Sequence, residues 1–166
     1  PRLRWGMAKM RIGILTGGGD VPGLNSVIKS VVYRRAEHDC EVIGIRRGWE
    51  GLTHLDLANP ASRSRYVLPL TRENTRTIDR TGGTFLHSSR TNPGKMKKLP
   101  PHLEGKDFPS SQSTKGGVAT TVYDISSVVL RNLEALKLDY LLPIGGDDTL
   151  SYAAKLHELG VKAIAI

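Results

Sequence analysis

At 166 residues, 39% of them hydrophobic, the chain has the length and composition of one ordinary globular domain. No apolar run approaches the roughly 20 residues that cross a bilayer, and the basic start lacks the apolar stretch and cleavage site of a secretory signal, so no membrane partner and a cytoplasmic location are expected. The single cysteine, Cys40, excludes an internal disulfide or a thiolate metal cluster, while a formal net charge of +8 leaves a polyanion open as partner.

Part of the basic excess is local. Arg2, Arg4, Lys9 and Arg11 lie at the extreme start, and residues 1–9 read as a leader or remnant ahead of a natural start at Met7 or Met10. The other bases are interspersed with acids and lack the aromatic interleaving of a single-strand binding face. A phosphorylated small molecule accounts for them as well as nucleic acid does, and no nucleic-acid partner is expected.

Residues 11–15 form a short apolar run that ends in the glycine-rich stretch 16–23, a strand entering a tight turn. Leu24, Val27, Ile28, Val31 and Val32 then recur on one helical face, with Pro22 suited to the first turn. Residues 41–45 are a second strand closed by a turn over 46–51, and 67–70 a third, followed by a polar helical stretch over 72–79. Gly82 and Gly83 open another short strand that runs to residue 86 and leads into Ser88, Ser89 and Arg90. From 91 to 121 periodicity is lost among proline, glycine, serine and lysine, the composition of a functional lid or a disordered loop. Ile125, Val128, Val129, Leu133 and Leu136 mark an amphipathic helix, 140–144 a strongly apolar strand, 150–159 a helix stopped by Gly160, and 161–166 a last strand. Alternating strands and helices predict an α/β fold, a Rossmann-like parallel sheet in three layers with helices on both faces. Buried parallel strands rarely end a domain without a following turn, so the sheet is expected to be incomplete.

Two glycine-rich turns, each leaving a strand for a helix, place backbone N–H groups and helix amino-termini at one edge of the sheet, an arrangement that binds anions. Either turn alone is equally well explained as a tight connection. A dinucleotide fingerprint fails because Pro22 stands where its third glycine belongs, and a P-loop fails because Leu24 stands where its lysine belongs. Asp147 and Asp148 suit a magnesium ion shared with substrate phosphates, since that ion takes one or two carboxylates and keeps several waters. Aspartates also cap helices, and Asp148 could do only that. Arg90, behind Gly82-Gly83-Thr84 and Ser88-Ser89, is a candidate phosphate fork. Cys40 reads as a buried inert thiol, and His54, His87, His102 and His157 show no ligand spacing.

The stretches TGGGDVPGLN at 16–25, GGTFLHSSR at 82–90 and GGDDT at 145–149, in this order and register, resemble the phosphofructokinases over nearly all of residues 10–166. The resemblance implies the amino-terminal, donor-binding portion of an enzyme that transfers a phosphoryl group to fructose 6-phosphate with Mg2+, giving the 1,6-bisphosphate in glycolysis. It also implies a homodimer or homotetramer for the complete protein. Donor contacts are implied at Gly18, Gly19, Trp49, Arg90, Thr91, Gly146, Asp148 and Thr149. Among these, Gly19 lets the backbone approach the donor's phosphates, and Arg90 is the catalytic arginine that bridges donor and sugar phosphates. Trp49 packs near the adenine in ATP-using members, and Thr149 sets a hydroxyl beside the donor. Asp147 matches the magnesium-site aspartate, and Lys95 falls near a further basic donor contact. Asp148 departs from the glycine of ATP-dependent members and resembles the pyrophosphate-dependent branch. A carboxylate about 4 Å from a phosphate charge costs on the order of 4 kcal/mol at an effective dielectric near 20, which disfavours the inner phosphate of ATP. Lys29 and Tyr33 stand where regulated members carry effector-binding arginines. The family's general base and sugar-binding threonine belong to a Pro-x-Thr-x-Asp-Asn-Asp segment expected after Ile166, so these 166 residues are expected to supply the donor half and to be inactive alone. Pyrophosphate is the expected donor and ATP the alternative; a non-catalytic polyanion or nucleic-acid binding module is the alternative of another class.

Overall fold

The computed structural model describes residues 9–19, 22–35, 38–115 and 118–166, so residues 1–8 of the expected leader lie outside the described residues. Strands β1 (Met10–Gly17), β2 (Cys40–Ile45), β3 (Val67–Leu70) and β6 (Tyr140–Gly145) form one sheet in the order β3-β2-β1-β6. β1 is parallel to both neighbours, with Ile14 opposite Gly44 on one side and Leu142 on the other. Successive side chains point to opposite faces, and each face is apolar. On one face α1 (Leu24–Arg35) sets Leu24, Ile28 and Val32 against Ile14, Val42 and Ile144. On the other, α2 (Trp49–His54), α4 (Ser126–Ala135) and α5 (Asp147–Glu158) pack Leu52, Leu133 and Leu156 against Leu15, Ile45 and Leu141. The expected three-layer α/β architecture is therefore present.

Several elements differ from expectation. β3 runs antiparallel to β2, Ile45 facing Val67, so the sheet is mixed. The connecting residues, expected as a turn over 46–51 and loop, hold α2 and α3 (Pro60–Tyr66). With six and seven residues these helices are only about 9 and 10 Å long. They cannot carry the chain back along β2, and Arg46 N–H meets Tyr66 O at 2.8 Å where the two strands' ends adjoin. β3 thus starts at the carboxyl end of β2 and must run the other way. Residues 72–77 are turns followed by a 3-10 turn at Ile78–Arg80 in place of a regular helix. No strand forms at 82–86, where the backbone bonds to side chains and turns and has no neighbouring strand.

The stretch 91–121 is neither an open lid nor shapeless. It holds 3-10 turns at Pro93–Lys95 and Pro101–Leu103 and the hairpin β4 (Ser110–Lys115) to β5 (Val118–Tyr123). Met96 and Tyr123 exchange backbone hydrogen bonds of 2.9 and 2.8 Å, and Met96, Leu103, Ile125 and Val128 form a small core beneath. Residues 161–166 lie extended beside β6: Ile164 N–H donates to Leu141 O at 2.9 Å and Ile166 N–H to Pro143 O at 3.0 Å. Among the described residues no helix is long and apolar enough to cross a membrane.

Candidate functional site

β1 and β6 end side by side, Gly17 opposite Gly145, and both glycine-rich turns leave from there. Thr149 accounts for both of these glycines. A Cβ on Gly17 would run into Thr149 Oγ1 and stand 2.9 Å from its Cγ2, and one on Gly145 would run into Gly17 O and stand 2.9 Å from Thr149 Oγ1. The threonine is 3% exposed, so its side chain chiefly packs between the turns while its residue forms part of the site floor. Gly18 takes φ +80° and donates its N–H to Ser89 O at 3.1 Å. One of the N–H groups expected to hold an anion is thereby used to join the first turn to the segment that carries Arg90. Gly19 is exposed, with nothing within 4 Å of where a Cβ would stand.

α5 begins at Asp147, three residues before the expected start. Gly146 occupies its N-cap position, and among the described residues no side chain accepts a hydrogen bond from the helix's first N–H groups. Its amino-terminus is therefore open, positive and available to an anion. It forms one wall of a cleft of about 500 Å3, whose other wall is Ser89–Asn92 with Gly18 and Gly19 between them. Asp148 is the second helical residue rather than the cap. Asp147, Asp148 and Arg90 are all exposed, and none makes a hydrogen bond or ion pair with another side chain among the described residues. Three unsatisfied charges at an uncapped helix amino-terminus suit a phosphate ligand accompanied by a divalent cation. Asp147 and Asp148 are the carboxylates that could hold Mg2+; among the described residues no set of three His, Cys, Asp or Glu could do so. Magnesium fits such a sparse site, because it retains waters and takes phosphate oxygens as ligands.

Arg90 is held by a segment without regular structure. Thr16 Oγ1 donates to His87 O at 2.9 Å and lies 2.8 Å from Thr84 Oγ1. Asn25 accepts from Phe85 N–H at 2.7 Å and donates to Thr81 O at 3.2 Å. Arg47 N–H donates to Leu86 O at 2.8 Å, and the Leu86 side chain is fully buried. Thr16 and Asn25 are supporting residues of the candidate site that sequence reasoning missed, although they are the first and last positions of the stretch 16–25.

Eight of the predicted site residues meet at the cleft: Gly18, Gly19, Arg90, Thr91 and the run Gly146 to Thr149. Trp49, expected among the donor contacts, does not line the cleft. It is 1% exposed, donates Nε1–H to Thr149 O at 3.3 Å, and meets Tyr152 edge to face at 4.9 Å. Its position behind α5 makes it a support for the site floor. Lys95 is exposed at the end of its 3-10 turn and does not line the cleft. Lys29 donates to Asp79 Oδ1 and Arg76 O, both at 2.7 Å, and lies over the Tyr33 ring. The Lys29 hydrogen bond holds the Asp79 carboxyl below its usual range. Cys40 is buried and unpaired, as expected. Burial lowers the pKa of His102.

The phosphofructokinase family profile matches residues 11–166. The chain belongs to this family. It is 38% identical over 160 residues to a pyrophosphate–fructose 6-phosphate 1-phosphotransferase of Dictyoglomus thermophilum, covering 96% of this chain and 36% of that protein. It is 35% identical over 158 residues to an ATP-dependent 6-phosphofructokinase of Streptomyces coelicolor, covering 95% of this chain and again 36% of the relative. The chain thus spans little more than a third of these relatives, and both donors are named among them at similar identity. In fold it matches the phosphofructokinase of Pichia pastoris (TM-score 0.63, 22% identity, 92% of this chain and 14% of that one). It also matches the pyrophosphate-dependent enzyme of Nitrosospira multiformis (TM-score 0.64, 13% identity, 96% and 33%).

Proposed function

We propose that this chain is the donor-binding portion of a cytoplasmic 6-phosphofructokinase of glycolysis that moves a phosphoryl group to fructose 6-phosphate, with pyrophosphate as donor and Mg2+ as cofactor. The complete protein works as a homodimer or homotetramer. The observation that carries the donor assignment is the lining of the cleft. Among the described residues, Asp148 presents an unpaired carboxylate at the second position of α5, and no aromatic or large apolar side chain lines the space. Nucleobase sites are usually lined largely by apolar and aromatic groups with a few polar anchors, whereas a small polyanion needs charge and N–H donors. The aromatic rings packed behind Thr149, Trp49 and Tyr152, are 1% and 3% exposed and meet edge to face.

In this reading the uncapped amino-terminus of α5 and the exposed Gly19 backbone receive donor phosphate oxygens. Arg90 bridges the transferring group and the sugar phosphate, where its charge counts most as negative charge spreads in the transition state. Asp147, with Asp148 beside it, would hold Mg2+, which neutralises phosphate charge when bound. The Streptomyces relative keeps ATP as the second reading. The test is the full-length protein assayed with fructose 6-phosphate, Mg2+ and each donor in turn. Turnover with pyrophosphate well above that with ATP is expected, a preference for ATP overturns the donor assignment, and no transfer from either overturns the function.

A further inference from the structure

The cleft's two walls come from distant parts of the chain, and the region beyond residue 92 fastens one to the other. Asn92 accepts from Gly94 N–H at 2.9 Å and starts the turn Pro93–Lys95, which continues the Arg90 wall. This turn lies against the second and third turns of α5, the helix that forms the opposite wall. A Cβ at Gly94 would stand 3.2 Å from Lys155 Nζ and 3.8 Å from the Tyr152 ring. Pro93 O accepts from Ile125 N–H at 2.9 Å, which brings Asp124 and Ser126 over the same stretch of α5. There Lys155 Nζ donates to Asp124 Oδ2 at 2.6 Å, and Tyr152 O–H donates to Ser126 Oγ at 3.0 Å. Tyr152 and Ser126 are 3% and 7% exposed.

We propose that Lys155, Tyr152, Asp124 and Ser126 are positioning residues: through residues 124 and 126 they clasp the stretch 91–121, read as a loop insertion, to α5 and so set the spacing between Arg90 and Asp147–Asp148 for the donor. The same helix offers its open amino-terminus to the donor and, one and two turns further on, two side chains to the clasp. Any slip of the insertion along α5 is passed to Asn92, two residues from Arg90. An exposed ion pair alone would be worth little, but here it backs a buried hydroxyl pair, and contacting groups of this kind are coupled. The clasp reaches the sugar only through Arg90, whereas both walls of the cleft face the donor, so its loss acts more on the donor than on the sugar.

The inference rests on the cleft being the donor site, and the test separates the two ideas. In the full-length protein, Lys155→Met and Tyr152→Phe are assayed for donor KM, fructose 6-phosphate KM and kcat, with Lys155→Arg as the conservative control. Donor KM is expected to rise about three- to tenfold in Lys155→Met, the lower part of the range for coupled contacts, with a smaller rise in the sugar KM and Lys155→Arg close to the parent. Adding Asp124→Asn to Lys155→Met should cost no more than either change alone. An unchanged donor KM, or equal rises for donor and sugar, overturns the clasp. Hydrogen exchange gives an independent reading. Magnesium pyrophosphate should slow exchange at the Met96, Tyr123 and Ile125 amides in the parent and do so less in Lys155→Met. No protection in the parent overturns the clasp. A parent that transfers phosphate from neither donor refutes the function reading, and the exchange result then decides the clasp alone.

Discussion

Replacing Asp148 with glycine probes the donor assignment where it is most sensitive. Asp148 is exposed at the second position of α5, across the cleft from Arg90. A carboxylate about 4 Å from a phosphate charge costs about 4 kcal/mol at an effective dielectric of 20 and about 1 kcal/mol in bulk water. For an exposed side chain the lower part of that range applies, about 1–2 kcal/mol, or roughly 5- to 30-fold against a donor with a further phosphate in that place. The change also removes a favourable charge from the amino-terminal turn, worth about 0.3–1 kcal/mol, and exchanges aspartate for glycine in a helix at a further cost of about 0.3 kcal/mol. The melting temperature should therefore fall by about 2–4 °C or somewhat more, which serves as a control on the variant. The assay is kcat/KM for magnesium pyrophosphate and for magnesium ATP in the full-length protein at saturating fructose 6-phosphate. The ratio should move toward ATP by about fivefold or more, with the sugar KM unchanged. A parent that already prefers ATP, or a ratio that stays put, refutes the argument and leaves Asp148 as a surface charge of the helix's first turn.

Arg90→Ala should lower kcat about 100-fold or more while raising the sugar KM far less, since the unpaired guanidinium acts mainly on developing charge; a loss under about tenfold would show that it is misassigned. Asp147→Asn should raise the magnesium concentration needed for half-maximal activity, and an unaltered magnesium titration would remove Asp147 from the metal site. Burial opposes ionisation of Asp124, but hydrogen bonds from Lys155 and Ser126 outweigh it and hold the carboxyl below its ordinary 3.8. Because the folded value lies below the unfolded one, this contribution to stability is complete above about pH 4 and is lost as pH falls through the lower folded value. Asp124→Asn should thus lose stability relative to the parent at neutral pH and converge with it in acid, as thermal unfolding across that range would record.

Helix ends were the most legible features. Gly160, read as a stop, takes φ +95°, with Gly160 N–H bonded to His157 O and Val161 N–H to Leu156 O, so the last carbonyls of α5 are satisfied. Two short elements carried the same quality of signal and were passed over. Asn-Pro occurs at 59–60 and at 92–93, and each time the asparagine side chain accepts from the N–H groups of the helical turn that the proline begins. Seven and three residues are too few to display an apolar period, so only the caps announced these turns. The direction of β3 and the absence of a strand at 82–86 were not legible in local pattern. The first depends on how short α2 and α3 are, and the second on partners at Thr16 and Asn25 more than fifty residues away. For the same reason the three site motifs were visible as strings, but the division of labour within them was not.

The glycines of the first turn show that division most clearly, and they allow it to be measured. In sequence Gly17, Gly18 and Gly19 are indistinguishable; in the fold each has a different reason to lack a side chain. Gly17 makes room for Thr149, Gly18 supplies the left-handed backbone and the bond to Ser89, and Gly19 leaves the cleft open. Alanine at 17 would overpack the junction of β1 and β6, where extra methyl groups cost about 1–3 kcal/mol, and shortening Thr149 to serine should recover part of that loss because it removes the Cγ2 contact at 2.9 Å. Alanine at 19 meets no atom, so stability should stay within about 0.5 kcal/mol of the parent. Its methyl group would instead stand where the donor's phosphates approach the backbone. The two variants should therefore separate: Gly19→Ala weakens donor binding in a protein of normal stability, and Gly17→Ala lowers the melting temperature with a donor KM that recovers together with stability in the Thr149→Ser background. If Gly19→Ala bound magnesium pyrophosphate as tightly as the parent, the backbone at 19 would not be the donor's contact, and the anion site would have to lie wholly at the amino-terminus of α5.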